Sequence, residues 1–211
     1  MEFHDIIEKA KLELKALQGE AGKDKTFQAE QRFFSSETAQ NQFAGAIKRL
    51  LDINKWSEES GIRATFELFD QNGDPKKADK PEIGDYFRVL LPGVPLENWM
   101  KITDIKTSIH QAEITAHPCA NPQNNHPEVT SHFFVKETSS IFRVTVDGTR
   151  IKAYQIGLNE KINNHDEAGG RSLANTLIAE AGWNGMQFIQ WENLTAYWSG
   201  AKNGHNGQNH H

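Results

Sequence analysis

A single cysteine, Cys119, is all that this 211-residue chain contains. One thiol forms no internal disulfide, so the fold cannot rest on a disulfide framework, and a reducing, cytoplasmic setting is the expectation. The chain also has no run of about 18 apolar residues, which excludes a helix inserted across a bilayer. Basic clusters are missing as well. Lys and Arg total 23 against 28 Asp and Glu, a net charge of −5, and the charges are spread along the whole length. Phosphate binding needs concentrated Lys and Arg, so nucleic acid is not an expected partner. The start, "MEFHDIIEKAKLELKALQGE", has an acidic second residue and no basic region ahead of an apolar stretch, which is not the pattern of a signal peptide.

What is present is periodicity of two kinds. Phe3, Ile6, Ile7, Ala10, Leu14 and Leu17 recur at helical spacing and predict an amphipathic helix within residues 1–22, ended by Gly19 and Gly22. Its apolar face either packs on the body of the domain or makes a partner contact, which leaves a homodimer open. "KTFQAEQRFF" alternates as a strand. A helix follows, capped by Ser35 or Ser36, with Phe43, Ala46, Ile47, Leu50 and Leu51 on its apolar side.

From Gly61 to about residue 160 nearly everything reads as strands. "GIRATFELFD" turns at "DQNGDP"; "GDYFRVLLPG", "NWMKITDIKTSI" and "HQAEITAH" come next. "SHFFVKETSSIFRVTVDGTRIKAYQIG" carries a hairpin signal at Asp147-Gly148, where Gly supplies the positive φ that a tight turn demands. The period changes again in "GGRSLANTLIAEAGWNGMQFIQWENLTAYW", with Leu173, Leu177, Ala181, Phe188, Trp191, Leu194 and Trp198 at helical steps. Gly182 and Gly185 predict a kink there or a division into two helices. Residues 201–211 have no apolar periodicity and are expected to be disordered.

Strand, helix, a long antiparallel run and a closing helix is an α+β order, not a doubly wound parallel sheet. A six- to seven-stranded antiparallel sheet with one apolar face has to bury that face, and the C-terminal helix carries the apolar stripe to do so. From "KTFQAEQRFF" to "RSLANTLIAEAGWNGMQFIQWENLTAYW", residues 23–200, this order resembles the helix-grip fold of the START and Bet v 1-like (SRPBCC) superfamily. The extra N-terminal helix and the polar insertion between His117 and Thr130 depart from that outline.

The resemblance implies a curved sheet wrapped around the C-terminal helix and a cavity between them. It implies a soluble binding protein for a hydrophobic or amphipathic small molecule, lipid-like or polyketide-like, with no cofactor. Aromatic residues on the strands and helix would line the pocket: Phe66, Phe87, Trp99, Phe134, Phe142, Tyr154 and Trp191. His117 and Asn159 would stand at its mouth, and Glu160 with Asn159 could hydrogen-bond a polar head. A competing reading is a cyclase, dehydratase or hydrolase using His110, His117, His132 or Glu137 as general acid or base. A third is an interaction module acting through the first helix.

"AEITAHPCANPQNNHPEVTSHFF" gathers three of the nine histidines and the cysteine. His117 and Cys119 flank one proline, and His126 and His132 have no partner at metal-ligand spacing, so no metal site is expected. Pro118, Pro122 and Pro127, with Asn121, Asn124 and Asn125, describe an irregular loop. A Cys119–His117 or Cys119–His132 nucleophile pair lacks an obvious orienting acid. "DQNGDPKKADKPE" resembles a calcium loop at Asp70, Asn72 and Asp74, but Pro75 and Pro81 stand where that loop needs Gly and Glu. "HDEAGGRSLAN" lacks the lysine of a phosphate loop, and Asp166 or Glu167 is the expected helix cap.

Overall fold

The computed structural model describes residues 23–60, 64–91, 97–124, 130–132, 134–160 and 183–201. The readings of an N-terminal helix, of caps at Asp166 and Glu167, of Leu173, Leu177 and Ala181, and of a loose tail therefore lie outside the described residues.

Seven strands form one antiparallel sheet: β1 (Lys23–Arg32), β2 (Thr65–Phe69), β3 (Tyr86–Leu90), β4 (Glu97–Thr107), β5 (Gln111–Pro118), β6 (Ser139–Asp147) and β7 (Arg150–Glu160). Their spatial order is β1-β7-β6-β5-β4-β3-β2, so β1 and β2, joined by a helical segment, stand at opposite edges. That segment holds α1 (Ser36–Leu51), a 3-10 turn (Ile53–Lys55) and α2 (Trp56–Glu59), and the chain closes with α3 (Trp183–Ser199). The sheet curves around α3 in the helix-grip manner. No described helix is long and apolar enough to cross a membrane.

The local reasons match the residues. Ser35 is extended and its Oγ accepts the Thr38 N–H at 3.1 Å, which starts α1; Glu37 in the first turn and Lys48 and Arg49 in the last complement the helix dipole. Ala39, Phe43, Ala46, Leu50 and Leu51 are buried by α1, which packs on β5, β6 and β7. The concave face is thus shared: α3 lies over β1 and β7, and α1 covers the neighbouring strands. The apolar stripe of the C-terminal helix is not the sheet's sole cover, because the inserted helix carries a second one.

Two expected details shift. The β6–β7 hairpin pairs Asp147 with Arg150, so its turn is Gly148-Thr149, one residue later than Asp147-Gly148; Gly148 supplies the positive φ of 55°. "SHFFVKET" does not begin a strand. β6 starts at Ser139, and ahead of it the Thr138 N–H donates to the Val135 carbonyl in a turn while Ser131 pairs with Trp99. "DQNGDP" turns tightly as expected, with Phe69 bridging Pro75 antiparallel and the Asp70 N–H donating to the Asp74 carbonyl at 2.8 Å, but its return arm is not a strand of the sheet. Asp70 Oδ1 accepts the N–H groups of Asn72 and Asp74 at 2.8 and 3.0 Å, and the chain then makes an excursion before β3. Buried Asp85 anchors that excursion through Lys76 Nζ at 2.8 Å and the Glu82 N–H at 2.7 Å.

Between sheet and helices sits an aromatic cluster. Trp56 has no exposed surface, and its ring centroid lies 4.9 Å from Trp198, 5.2 Å from Phe142 and 5.6 Å from Phe66. Tilted and edge-on contacts of this kind fill the volume under α3. Most of the aromatic content is core.

Candidate functional site

On β7 the inward phase runs Ile151, Ala153, Gln155, Gly157. The first two are ordinary core, whereas Gln155 places an amide in that apolar phase. It is 1% exposed, and its Oε1 has no hydrogen-bond partner among the described residues. Two small residues, Ser140 on β6 and Gly157 on β7, are direct cross-strand partners, so the sheet surface beside Gln155 has little side-chain bulk. A cavity of about 40 Å³, partly open to solvent, occupies this end of the concave face. That is room for a few water-sized groups.

The next turn of the backbone completes the site. β1 pairs Lys25 with Gly157 but Lys23 with Glu160, so three steps on β7 oppose two on β1, a bulge. Within it Asn159 has φ of 53°, the one described non-glycine residue with positive φ. Its N–H donates to Asp24 Oδ1 at 2.9 Å, and its carbonyl accepts the Thr138 hydroxyl at 3.1 Å, which holds the strained residue in place. The bulge breaks the alternation. Asn159 points out and is exposed, and Glu160 turns inward and is 3% exposed. The Glu160 side chain then folds back over Gly157, where an added Cβ would overlap its carboxyl group, with Cδ at 2.7 Å.

The walls of the cavity are apolar: Phe87, Val89, Met100, Phe134, Phe142 and Trp191. Polar groups enter from all sides, with Asn98 from β4, Ser140 from β6, Gln155 and Glu160 from β7, Gln190 from α3, and His132 from the loop before β6. Burial pushes the His132 imidazole down to about 3, so the ring is neutral at physiological pH. The Phe134 N–H donates to its Nδ1 at 2.9 Å, which leaves the ring proton on Nε2.

Of the residues expected to line a pocket, Phe87, Phe134, Phe142 and Trp191 meet at this cavity. Phe66 lies deeper, against Trp56 and Trp191. Trp99 is fully buried away from it, 4.7 Å from Phe69, with its indole N–H donated to Glu97. Tyr154 occupies the opposite phase of β7 from Gln155. His117 is tied through Nδ1 to the Thr138 carbonyl at 2.9 Å, and Asn159 serves the bulge. Among the acid–base candidates, His132 reaches the cavity; His117 does not line it, and His110 and Glu137 are exposed. Cys119 sits outside it too, its thiol pushed up to about 12 by burial, so almost no thiolate exists at neutral pH. Asn98, Ser140, Gln155 and Gln190 were not expected; for Gln155 the readable signal was a glutamine standing in the apolar phase of a strand. No group of three or more His, Cys, Asp or Glu side chains is placed to hold a metal among the described residues.

No protein-family model and no curated protein matches this chain. Solved structures do. A hypothetical protein from Helicobacter pylori aligns with a TM-score of 0.50 at 12% identity, over 87% of this chain and 92% of its own. The neighbours also include Bet v 1-like folds. Ginseng major latex-like protein 151 from Panax ginseng has a TM-score of 0.36 at 8% identity, over 76% and 95% of the two chains. A norcoclaurine synthase point mutant from Thalictrum, in complex with a transition-state analogue, has 0.34 at 13%, over 75% and 96%. At these identities the likeness concerns fold alone, and function has to be argued from the site.

Proposed function

We propose that this protein binds a small molecule with an apolar body and a polar head in the cavity between the concave sheet and α3. The observation that carries the reading is the Gln155 amide oxygen, buried on the inner face without a partner and bordering a void among aromatic side chains. An unsatisfied buried acceptor costs about 1–3 kcal/mol, and a ligand donor recovers that cost. Apolar walls with a few convergent polar groups are the usual character of such sites.

The volume limits the ligand. About 40 Å³ takes a head group, and the apolar remainder would lie at the open side rather than be swallowed whole as a long lipid would be. Native mass spectrometry of the purified protein, with organic extraction of what it carries and titration with small apolar compounds, tests the proposal. A one-to-one bound species that disappears in Ser140→Leu, which fills the void, is the expected result. If no compound shifts either the mass or the melting temperature of the folded protein, the site does not bind small molecules.

A further inference from the structure

The chemistry of the head group follows from one atom, an inference that rests on the binding role proposed above. Gln155 is an amide in the apolar phase of β7, 1% exposed, and its Oε1 has no partner among the described residues. An amide oxygen only accepts, so its complement is an N–H or an O–H. The amide is also neutral. Burying a full charge costs far more than one neutral oxygen returns, whereas a neutral donor exchanges a bond to water for a bond to Oε1. Its companions suit an uncharged head: Ser140 from β6 and Gln190 from α3 bring a hydroxyl and a second amide to the same cavity. The described lining contains no Lys or Arg, and His132 is neutral, so an anionic head would be buried with no cation beside it.

The walls decide the body. Phe142 is the direct cross-strand partner of Gln155, so an aromatic side chain stands next to the acceptor. Its ring lies 6.0 Å from Phe87 at 70° and 5.6 Å from Trp191 at 46°, and all three border the cavity. A flat aromatic ring finds offset and edge-to-face partners among rings set at such angles, which an alkyl chain does not. Its donor edge fits the volume of about 40 Å³, and the rest of the ring lies at the open side. We propose that the ligand carries its N–H or O–H on a flat, uncharged aromatic ring, as an indole or a phenol does, and that Gln155 Oε1 accepts that hydrogen.

Indole and benzofuran have one shape and differ at one ring atom, an N–H donor in the first and an oxygen in the second. Both are titrated into the full chain by calorimetry at neutral pH, with benzoate as the anionic ring. Indole is expected to bind at least about tenfold tighter than benzofuran, which leaves Oε1 unpaired, and benzoate is expected to give no heat of binding. In Gln155→Met the preference for indole over benzofuran is expected to fall to about one. That ratio is the readout, because a general loss of structure weakens both ligands together; should the variant fold poorly, the comparison in the parent chain still decides. Benzofuran or benzoate binding as tightly as indole overturns the proposal while the binding role stands, and so does an indole preference that survives Gln155→Met. Binding of another small apolar compound but of none of these three has the same meaning. If no small apolar compound binds at all, both fail.

Discussion

The concave face has two ends built from the same kinds of residue with opposite results. Under the C-terminal end of α3, Trp56, Phe66, Phe142 and Trp198 fill the space with tilted and edge-on contacts. A few residues along the same strands, Ser140 and Gly157 stand side by side, Gln155 is buried with an orphan oxygen, and a void remains. The aromatic content alone does not distinguish a filled core from a lined pocket. The small residues do, because packing at near-crystalline density leaves a gap only where a strand pair withholds side-chain volume. One end is filled core, and the other keeps a void and a buried acceptor without a partner.

The largest effect that tests this contrast is at the packed end. Trp56→Ala removes a side chain with no exposed surface and is expected to cost about 3–5 kcal/mol in urea unfolding. Trp191→Ala, beside the existing void and 9% exposed, should cost clearly less. Equal losses would mean that the two ends are packed alike.

Acid is the next lever. His132 is neutral in the fold with its pKa lowered from 6.5 to about 3, so below pH 6.5 the unfolded chain takes up a proton that the folded chain refuses. Stability contributed by this group is therefore intact above about pH 6.5 and declines as pH falls towards 3. His132→Asn keeps an acceptor for the Phe134 N–H and does not titrate. Denaturant titrations at pH 7 and pH 4 should show the variant losing about 1–3 kcal/mol less than the parent over that interval. Parallel losses would mean that His132 is solvated in the folded state.

Gly157→Ala probes the seat of the carboxyl. The new methyl group occupies the space of the Glu160 side chain, whose flexible end can swing aside, so the expected loss of stability is modest, about 1 kcal/mol. Urea unfolding checks it, and a loss above about 3 kcal/mol would show that the Glu160 side chain has no room to move.

Much of the fold was legible because alternation and capping are local. The strand periods, the Ser35 cap and the glycine of the β6–β7 turn are set by neighbours within a few residues. The site was less legible because it depends on events that alternation cannot register. The bulge exchanges the facings of Asn159 and Glu160, so a reading in phase with Gln155 and Gly157 brings Asn159 inward and Glu160 outward. Trp99 and Tyr154 are aromatic on strands in the same way as Phe87 and Phe142. Only strand facing sets them apart, and facing follows from a register that no residue type announces. His132 was visible as a histidine in a polar loop, but its burial depends on a tertiary contact between that loop and β4.

The smallest expected effect has the most informative sign. At a packed position, exchanging a buried residue for another is neutral at best, but Gln155 is expected to behave differently because its Oε1 is buried without a partner. Gln155→Met keeps the length of the side chain and removes the orphan acceptor, so the ligand-free protein should gain about 0.5–1 kcal/mol in urea unfolding while a small apolar compound with a polar head is bound about tenfold more weakly. Gain of stability with loss of affinity is the signature of a group kept for its ligand. Loss of both would mean that the amide supports the fold, and the cavity end would then be a variant of the packed end rather than its counterpart.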